Sequence, residues 1–199
     1  MMVELIDVPA GSIASVVTYL EMTERPRPKP GSALVPLQLV PLTDPEPARY
    51  RALFRAVGGP WLWFSRLMLD DEALRAKLTA PGLALYTVQL RKQDVGLLEL
   101  DFSGEGEVEI GFLGLMPQFT GKGAGSWLMS QALALAWAKK PRRVWLHTCS
   151  LDHPKALSFY LKHGFRAYAR KVEIAPDPRL SGVLPTEYAP HVPLIGEAA

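Results

Sequence analysis

The sequence feature that most constrains this chain is a glycine-rich turn between a predicted strand and a predicted helix. The strand covers residues 108–115, the turn reads Gln-Phe-Thr-Gly-Lys-Gly-Ala-Gly at residues 118–125, and the helix covers about residues 122–138. Apolar residues recur along that helix at helical spacing: Leu128, Ala132, Leu135 and Ala136. A helix N-terminus offers unpaired N–H groups and partial positive charge, and glycines let the backbone approach an anion. The turn therefore predicts a site for a phosphate-containing ligand.

Two common phosphate-binding loops do not fit this turn. A Walker loop requires Ser or Thr after its lysine, whereas Gly123 follows Lys122 here. A dinucleotide-binding fingerprint requires a third glycine five residues after the first, and the residue five after Gly121 is Ser126. On this loop alone, a tight strand-to-helix connection that binds no ligand remains an alternative.

The remaining pattern predicts one main domain of mixed α and β structure, over residues 32–175. The predicted order is a strand at 37–41, a helix with Asp44 as its N-cap that ends at Gly58, a helix at 70–78, antiparallel strands at 83–91, 95–102 and 108–115, the glycine turn and its helix, a strand at 143–149, a helix at 154–163 and a strand at 165–174. Residues 1–31 are expected to form a β-hairpin arm, with strands at 3–7 and 13–22, followed by a proline-rich linker. Residues 176–199 are expected to be a proline-rich, loop-like tail.

Two motifs make residues 37–174 similar to the GCN5-related N-acetyltransferase (GNAT) superfamily. Residues 118–123 match the signature Q/R-x-x-G-x-G/A, which in that family joins the fourth strand to the third helix. The family's downstream signature, N-x-x-A-x-x-x-Y-x-x-x-G-F, is matched by the residues Ala156, Tyr160, Gly164 and Phe165. Thr120 departs from the Arg that many relatives carry before the first glycine, and His153 or Asp152 stands where the usual Asn is.

The resemblance implies an α/β (α+β) fold whose mixed, mostly antiparallel sheet is flanked by helices on both faces. The sheet would splay between the family's fourth and fifth strands, residues 108–115 and 143–149, and acyl-CoA would lie in the opening. The backbone groups of Leu113, Gly114 and Leu115 would hold the pantetheine arm. His153 would either lie on the coenzyme side or cap a helix. The pyrophosphate would lie on the turn formed by Gln118, Phe119, Thr120, Gly121, Lys122, Gly123, Ala124, Gly125 and Ser126.

The resemblance also assigns roles in acyl transfer. Tyr160 stands at the family's tyrosine position and would protonate the sulfur of the leaving coenzyme. The base that deprotonates the amine is expected to be His147 or Glu109, and loss of the proton to water without a dedicated base is the alternative. Cys149 has no His and Asp partner pattern in the sequence, so direct transfer is expected rather than a covalent acyl-enzyme.

Aromatic residues between the first two helices are the candidates for acceptor binding. The predicted acceptor residues are Trp61, Trp63, Phe64 and Arg66. Packing of these aromatic side chains against the sheet is the structural alternative. The N-terminal arm is expected either to cover the acceptor site or to pair across a homodimer.

Composition narrows the remaining classes of function. The chain has 199 residues, a formal charge of +2, one cysteine and no long apolar run, which favours a soluble cytoplasmic protein that binds neither nucleic acid nor membrane. No His, Cys and Asp pattern has metal-ligand spacing, so no metal is expected. The sequence predicts an N-acetyltransferase that moves an acetyl group from acetyl-CoA to a primary amine. The alternatives are a catalytically silent acyl-CoA-binding sensor or accessory protein and an unrelated nucleotide-binding α/β protein.

Overall fold

The structure is a computed structural model that describes residues 3, 5–27, 33–121 and 123–196. Within these residues the secondary structure consists of seven strands, four α-helices and two short 3₁₀ turns. In chain order they are β1 (Ser12–Met22), β2 (Gln38–Pro41), α1 (Pro47–Gly58), a 3₁₀ turn (Gly59–Trp61), α2 (Asp71–Leu78), β3 (Leu83–Leu90), β4 (Gln93–Asp101), β5 (Glu107–Leu115), a 3₁₀ turn (Pro117–Phe119), α3 (Ala124–Ala138), β6 (Arg143–Cys149), α4 (Ala156–Lys162) and β7 (Arg166–Pro176).

The strands form one sheet in the order β2-β3-β4-β5-β6-β1-β7. Every neighbouring pair is antiparallel except β5 and β6, which are parallel. These two strands pair only at their beginnings, where Glu107, Val108 and Glu109 face Arg143, Val144 and Trp145. Beyond that point β5 and β6 diverge. The predicted mixed, mostly antiparallel sheet with a splay between these strands is therefore confirmed.

A β-bulge in β5 lies just beyond the short parallel pairing. Glu99 of β4 pairs with Phe112 and Leu100 pairs with Ile110, so Gly111 is the extra residue of β5. A bulge bends its strand and increases the local twist. The bulge therefore helps to turn the second half of β5 away from β6 and to open the sheet.

Helices cover the two faces of the sheet and bury separate apolar clusters. On one face, α3 buries Leu128, Met129, Ala132 and Ala136 against strand residues that include Leu98. On the other face, α1 and α2 bury a second cluster formed by Tyr50, Leu53, Phe54, Val57, Leu74, Leu78, Leu85 and Leu97. Helical spacing gives α1 and α2 one apolar side each, whereas α3 is apolar nearly all round. Burial of these apolar residues is the main source of each helix's stability.

The N-terminus of α1 differs from the prediction in its capping residue. Asp44 was expected to cap the helix, but the carboxylate of Glu46 accepts hydrogen bonds from the backbone N–H groups of Ala48 and Arg49. Pro47 then occupies the first helical position, where its missing N–H has no helical partner to lose. The longer Glu side chain can reach these amides from directly before the proline, two residues further along the chain than Asp44.

The predicted N-terminal hairpin arm is wrong. The described residues 5–9 form no strand, and β1 lies inside the sheet between β6 and β7. Val17 pairs with Cys149 on one side and with Lys171 on the other. Leu20 and Met22 alternate along β1 and are buried in the α3 cluster. Two long strand partners and this buried face stabilise β1 more than a short local hairpin would.

The C-terminal segment is more tightly packed than the predicted loop-like tail. Its described residues 177–196 contain no helix or strand, but Leu184 and Ala189 are buried with Ile13, Leu62 and Leu151. The Arg179 guanidinium is buried as well. It donates to the Asp177 carboxylate at 2.7 and 3.0 Å and to the carbonyl oxygens of Tyr188, Ala189 and Val192. The guanidinium of Arg179 thus donates hydrogen bonds to backbone carbonyl groups that a helix or strand would otherwise satisfy.

Candidate functional site

A groove of about 480 Å³ lies beside the half of β5 that no longer pairs with β6. We call it the glycine-turn groove, because it lies between residues 113–115 of β5, the glycine turn and α4. Most residues predicted to contact a coenzyme line it: Leu113, Gly114, Leu115, Thr120, Gly121, Gly123, Gly125, Ser126, His153 and Tyr160. The fold therefore brings the two sequence motifs to the same cavity.

Three described residues of the predicted coenzyme site are not among those that line the groove. Gln118 is exposed, Phe119 packs against the α3 cluster, and Ala124 is buried with its N–H donated to the carbonyl oxygen of Gly121 at 3.1 Å. Lys122 lies outside the described residues. The motif residues Gln118, Phe119 and Ala124 therefore shape the turn and the start of α3, and they do not face the groove.

The backbone of the glycine turn explains why its residues are glycines. Gly121 and Gly123 have φ angles of 82° and 81°, in the left-handed region that side chains disfavour. Gly123 is the N-cap of α3, and no side chain caps that helix end. The Thr120 hydroxyl donates to the carbonyl oxygen of Pro117 at 2.7 Å, which closes the turn from the outside. The start of α3 is thus open to a ligand in the groove, as an anion site requires.

A close approach of α1 fixes the other side of the groove at Gly114. A Cβ atom on Gly114 would lie 2.5 Å from Cγ1 of Val57 and 3.1 Å from Cη2 of Trp63. Contacts of this length are not tolerated, so only glycine lets the second half of β5 lie directly against these two side chains. This contact holds the Trp63 indole at the mouth of the groove.

A second cavity of about 190 Å³ adjoins the groove. We call it the aromatic cavity, and it is enclosed by residues 61–65, residues 110–113 and parts of β1, β6 and β7. The predicted acceptor residues Trp61, Trp63 and Phe64 line it. Five residues line both spaces and mark the junction between them: Trp61, Trp63, Leu113, Asp152 and Tyr160.

Arg66, the fourth predicted acceptor residue, is placed elsewhere by the structure. Its Nη2 atom lies 2.8 Å from Oε2 of Glu99, whose side chain is 1% exposed, and its guanidinium lies over the Phe112 ring. Tyr50 donates a hydrogen bond to the same carboxylate. A buried carboxylate is costly unless a cation and hydrogen bonds compensate it. The position of Arg66 is therefore explained by the interior charge of Glu99.

Tyr160 is half-buried at the junction of the two spaces. Its ring packs edge-on against the rings of Phe159 and Phe165. Burial raises the pKa of the Tyr160 hydroxyl, and the negative charge of Asp152 raises it further. The hydroxyl is consequently protonated at neutral pH and can serve as a proton donor but not as a base.

His147 and Glu109 form one pair rather than two separate candidates for the base. Nδ1 of His147 lies 3.6 Å from Oε1 of Glu109, and His147 also lines the aromatic cavity. The pKa of His147 is raised chiefly by the interaction with Glu109, with smaller contributions from the charges of Asp152 and Glu173. Partial burial of the ring opposes this shift but does not cancel it.

Asp152 is a residue of the junction that the sequence did not single out for catalysis or acceptor binding. Its Oδ1 atom accepts a hydrogen bond from Nε1 of Trp63 at 2.9 Å. Its Oδ2 atom accepts from the Thr148 hydroxyl at 2.6 Å and from the backbone N–H of Cys149 at 3.0 Å. The signal that pointed to this position was the downstream signature, in which Asp152 or His153 replaces the usual Asn.

Two further features bear on the chemistry. Burial and the charge of Asp152 raise the pKa of the Cys149 thiol, which disfavours the thiolate that a nucleophilic cysteine needs. Among the described residues, no group of three or more His, Cys, Asp or Glu side chains is arranged to hold a metal ion. In the same part of the chain, no helix combines the length and the apolar character needed to cross a membrane.

Comparisons with known proteins agree with this architecture. A structure of a GCN5-related N-acetyltransferase from Sphaerobacter thermophilus has a TM-score of 0.63 at 16% identity, over 86% of this chain and 52% of that chain. A PaiA N-acetyltransferase from Thermoplasma acidophilum in complex with coenzyme A has a TM-score of 0.50 at 15% identity, over 70% of this chain and 98% of that one. A GNAT family acetyltransferase from Elizabethkingia anophelis with acetyl-CoA bound has a TM-score of 0.51 at 21% identity, over 67% and 78% of the two chains.

The chain spans about half of the length of the Sphaerobacter protein. Comparison with curated protein sequences gives no match. The sequence model of the acetyltransferase (GNAT) family matches residues 51–165, which is more than half of the chain. This match covers both motifs. It also covers β5, the glycine turn, α3 and α4, which together line most of the glycine-turn groove. The chain therefore belongs to the GNAT acetyltransferase family.

Proposed function

We propose that this protein is an N-acetyltransferase that moves an acetyl group from acetyl-CoA directly to a primary amine. The observation that carries the proposal is the junction, where a groove with an open helix N-terminus meets a second cavity beside Tyr160. Coenzyme A or acetyl-CoA in two structures with the same fold supports the choice of the donor. The coenzyme would lie in the glycine-turn groove, and the amine would lie in the aromatic cavity.

The coenzyme would be held mainly by backbone groups. Its pyrophosphate would lie at the start of α3, where the N–H groups and the helix dipole favour negative charge. Its pantetheine arm would run beside residues 113–115, where β5 has already lost its pairing with β6. Unpaired strand edges bind extended ligands through backbone hydrogen bonds. The splay of the sheet thus supplies the binding edge.

The reaction would proceed in one direct transfer. An ammonium group loses one proton, with His147 as the accepting base, and the neutral nitrogen attacks the thioester carbonyl carbon. A C–N bond forms, the C–S bond breaks, and the coenzyme thiolate takes a proton from the Tyr160 hydroxyl. The attacking nitrogen still carries two hydrogens, and it loses one of them to solvent as the amide forms. Solvent returns one proton to Tyr160 and takes up the proton held by His147, so the products are the N-acetylated amine, free coenzyme A and one proton.

A direct test is the release of free thiol from acetyl-CoA in the presence of a panel of primary amines and short peptides. We expect turnover with one class of acceptor and N-acetylated product detected by mass spectrometry. Saturable binding of acetyl-CoA without turnover on any acceptor would instead favour a silent acyl-CoA-binding sensor.

The pair of His147 and Glu109 predicts a specific pH dependence. His147 accepts a proton only when neutral, and its pKa is raised above the ordinary 6.5 chiefly by Glu109. The value of kcat/KM should therefore increase as pH rises through that raised pKa, and Glu109→Gln should move this acid limb to lower pH. The measurement is kcat/KM for the amine across pH, with acetyl-CoA saturating.

Glu107→Gln is the matched control for this prediction. Glu107 lies on the same face of β5 but pairs with Arg143 at 3.0 Å. Its loss should leave the acid limb where it is. An acid limb that does not move in Glu109→Gln would show that His147 is not the group whose ionisation limits the reaction.

A further inference from the structure

Asp152 is a fixed carboxylate at the point where the two ligand spaces meet. It lines both the glycine-turn groove and the aromatic cavity. Three donors, from Trp63, Thr148 and Cys149, hold its two oxygens. An ionised carboxylate has about four acceptor positions. From the described residues Oδ1 accepts one hydrogen bond, that of the indole N–H, so one of its positions is left. The carboxylate is oriented by its neighbours and keeps a vacant acceptor position at the junction.

The charge of Asp152 is not neutralised by an ion pair among the described residues. Its three partners are an indole N–H, a hydroxyl and a backbone amide, all of them uncharged. Its negative charge raises the pKa of three neighbouring groups: Tyr160, Cys149 and His147. A half-buried carboxylate without a cation is unfavourable in the free protein. A cationic ligand would supply the missing counter-charge.

The rest of the aromatic cavity agrees in charge and in size with such a ligand. Its described lining contains the carboxylates Asp152 and Glu173 and the imidazole of His147, but no Lys or Arg. On the groove side, the ammonium group of Lys155 and the imidazole of His153 line the space assigned to the coenzyme. The cavity volume of about 190 Å³ exceeds the roughly 150 Å³ that accommodates a benzene molecule. The aromatic walls would pack against an apolar body and favour a cation.

We infer that Asp152 binds the ammonium group of the acceptor, and that the acceptor is a small cationic amine with a compact apolar body. This inference rests on the proposed function and names the substrate class of that site. The contact would place the reacting nitrogen at the junction, beside the position of the thioester. Asp152 forms no covalent bond, and the proton leaves the nitrogen towards His147.

The same charge also addresses a difficulty in the proton transfer. A carboxylate beside an ammonium group makes that group harder to deprotonate. The charge of Asp152 acts on His147 in the same direction, because it favours the protonated imidazole as well. The charge therefore stabilises the protonated form of the amine and the protonated form of His147 alike. As a result, the free energy of proton transfer from the amine to His147 changes little.

The test is a calorimetric titration of three probes into the protein, both free and saturated with coenzyme A. The probes are 2-phenylethylamine, 1,4-diaminobutane and the uncharged 2-phenylethanol. We expect at least one amine to bind the wild type at least about tenfold more tightly than the alcohol. Asp152→Asn should weaken amine binding by at least about tenfold and change the Kd of acetyl-CoA by less than about threefold.

Two control variants separate recognition by charge from support of the loop. Thr148→Val removes one hydrogen bond to Asp152 but keeps its charge, and the buried Thr148 lines neither space. This variant should bind the amine within about threefold of the wild type. Glu173→Gln removes the other carboxylate of the cavity and should weaken 2-phenylethylamine binding less than Asp152→Asn does, because Glu173 is not at the junction.

Several outcomes would overturn the inference. They are a wild type that binds neither amine more tightly than 2-phenylethanol, no binding of either amine, unchanged amine binding in Asp152→Asn, and an equal loss of amine binding in Thr148→Val. The wild-type comparison of amine and alcohol needs no variant, so a folding defect in Asp152→Asn leaves the test intact. Failure of acetyl-CoA to bind would refute the proposed function itself, whereas coenzyme binding without preference for an amine would refute only this inference.

Discussion

Replacing Tyr160 by Phe is expected to lower kcat by about 10²- to 10³-fold, which lies within the roughly 10²- to 10⁴-fold contribution of general acid–base catalysis. The hydroxyl lies at the junction, and its raised pKa keeps it protonated. Without it the coenzyme has to leave as a thiolate. The phenyl ring of the variant keeps the edge-on packing against Phe159 and Phe165. The Kd of acetyl-CoA should therefore change by less than about threefold, as measured by calorimetry beside steady-state kinetics.

Tyr168→Phe provides the matched control for that substitution. Tyr168 is an exposed tyrosine on β7 and lines neither the groove nor the cavity. Loss of its hydroxyl should change kcat by less than about twofold, since surface substitutions have small effects. Full activity in Tyr160→Phe would show that the leaving thiolate needs no proton from this residue. An equal loss of coenzyme binding and of kcat would assign Tyr160 a binding role instead.

Replacing Arg179 by Met is expected to lower the free energy of unfolding by about 3–5 kcal/mol, the cost of breaking a buried ion pair. The Arg179 and Asp177 side chains are 1% and 2% exposed. The variant leaves the Asp177 carboxylate buried without its cation. It also removes the donor to the carbonyl oxygens of Tyr188, Ala189 and Val192. Chemical denaturation followed by tryptophan fluorescence measures the change.

A surface pair and a double variant provide the controls for Arg179. Arg49 pairs with Asp94 at 2.7 Å with half of its side chain exposed, so Arg49→Met should cost at most about 1 kcal/mol. Adding Asp177→Asn to Arg179→Met removes the uncompensated charge and should recover part of the lost stability. A loss below about 1 kcal/mol in Arg179→Met alone would contradict the role of this arginine in the C-terminal segment.

The C-terminal segment also supports the wall of the aromatic cavity. Leu184 and Ala189 pack in one cluster with Leu62 and Leu151. Leu62 and Leu151 also line the aromatic cavity. Leu62 has a φ angle of 55°, an unfavourable conformation for leucine that surrounding contacts have to hold. The geometry of the aromatic cavity therefore depends on residues 177–196, which lie beyond the part of the chain that matches the family model.

Features that depend on local sequence were predicted well. The strand–turn–helix unit needs glycines at Gly121 and Gly123, whose φ angles are positive, and this requirement is visible in the sequence. The helix at α3 and the strand at β6 follow from the spacing of their apolar residues. The positions of Tyr160 and of most groove residues follow from the two motifs, because the motifs lie on elements that the fold brings to one opening.

Features that depend on distant partners were not predicted. The insertion of β1 between β6 and β7 joins residues more than 120 positions apart in the chain, as in the pairing of Val17 with Cys149, and no local pattern specifies such pairing. The partner of Arg66 is Glu99, a charge inside β4 that reads as an ordinary strand residue. The bonds of Asp152 and the buried contacts of Arg179 likewise join side chains whose proximity exists only in the folded chain.

The most direct test of the central claim is a calorimetric titration of acetyl-CoA, with S-acetylpantetheine as the comparison ligand. S-acetylpantetheine lacks the pyrophosphate together with the phosphorylated adenosine that it carries. The glycine turn at the start of α3 predicts one acetyl-CoA site per chain, with a Kd of roughly 1 μM to 1 mM, the range of typical enzyme KM values. S-acetylpantetheine should bind at least about tenfold more weakly, because it lacks the charge-assisted hydrogen bonds to the turn. No saturable binding of acetyl-CoA, or equal affinity for the two ligands, would contradict the account.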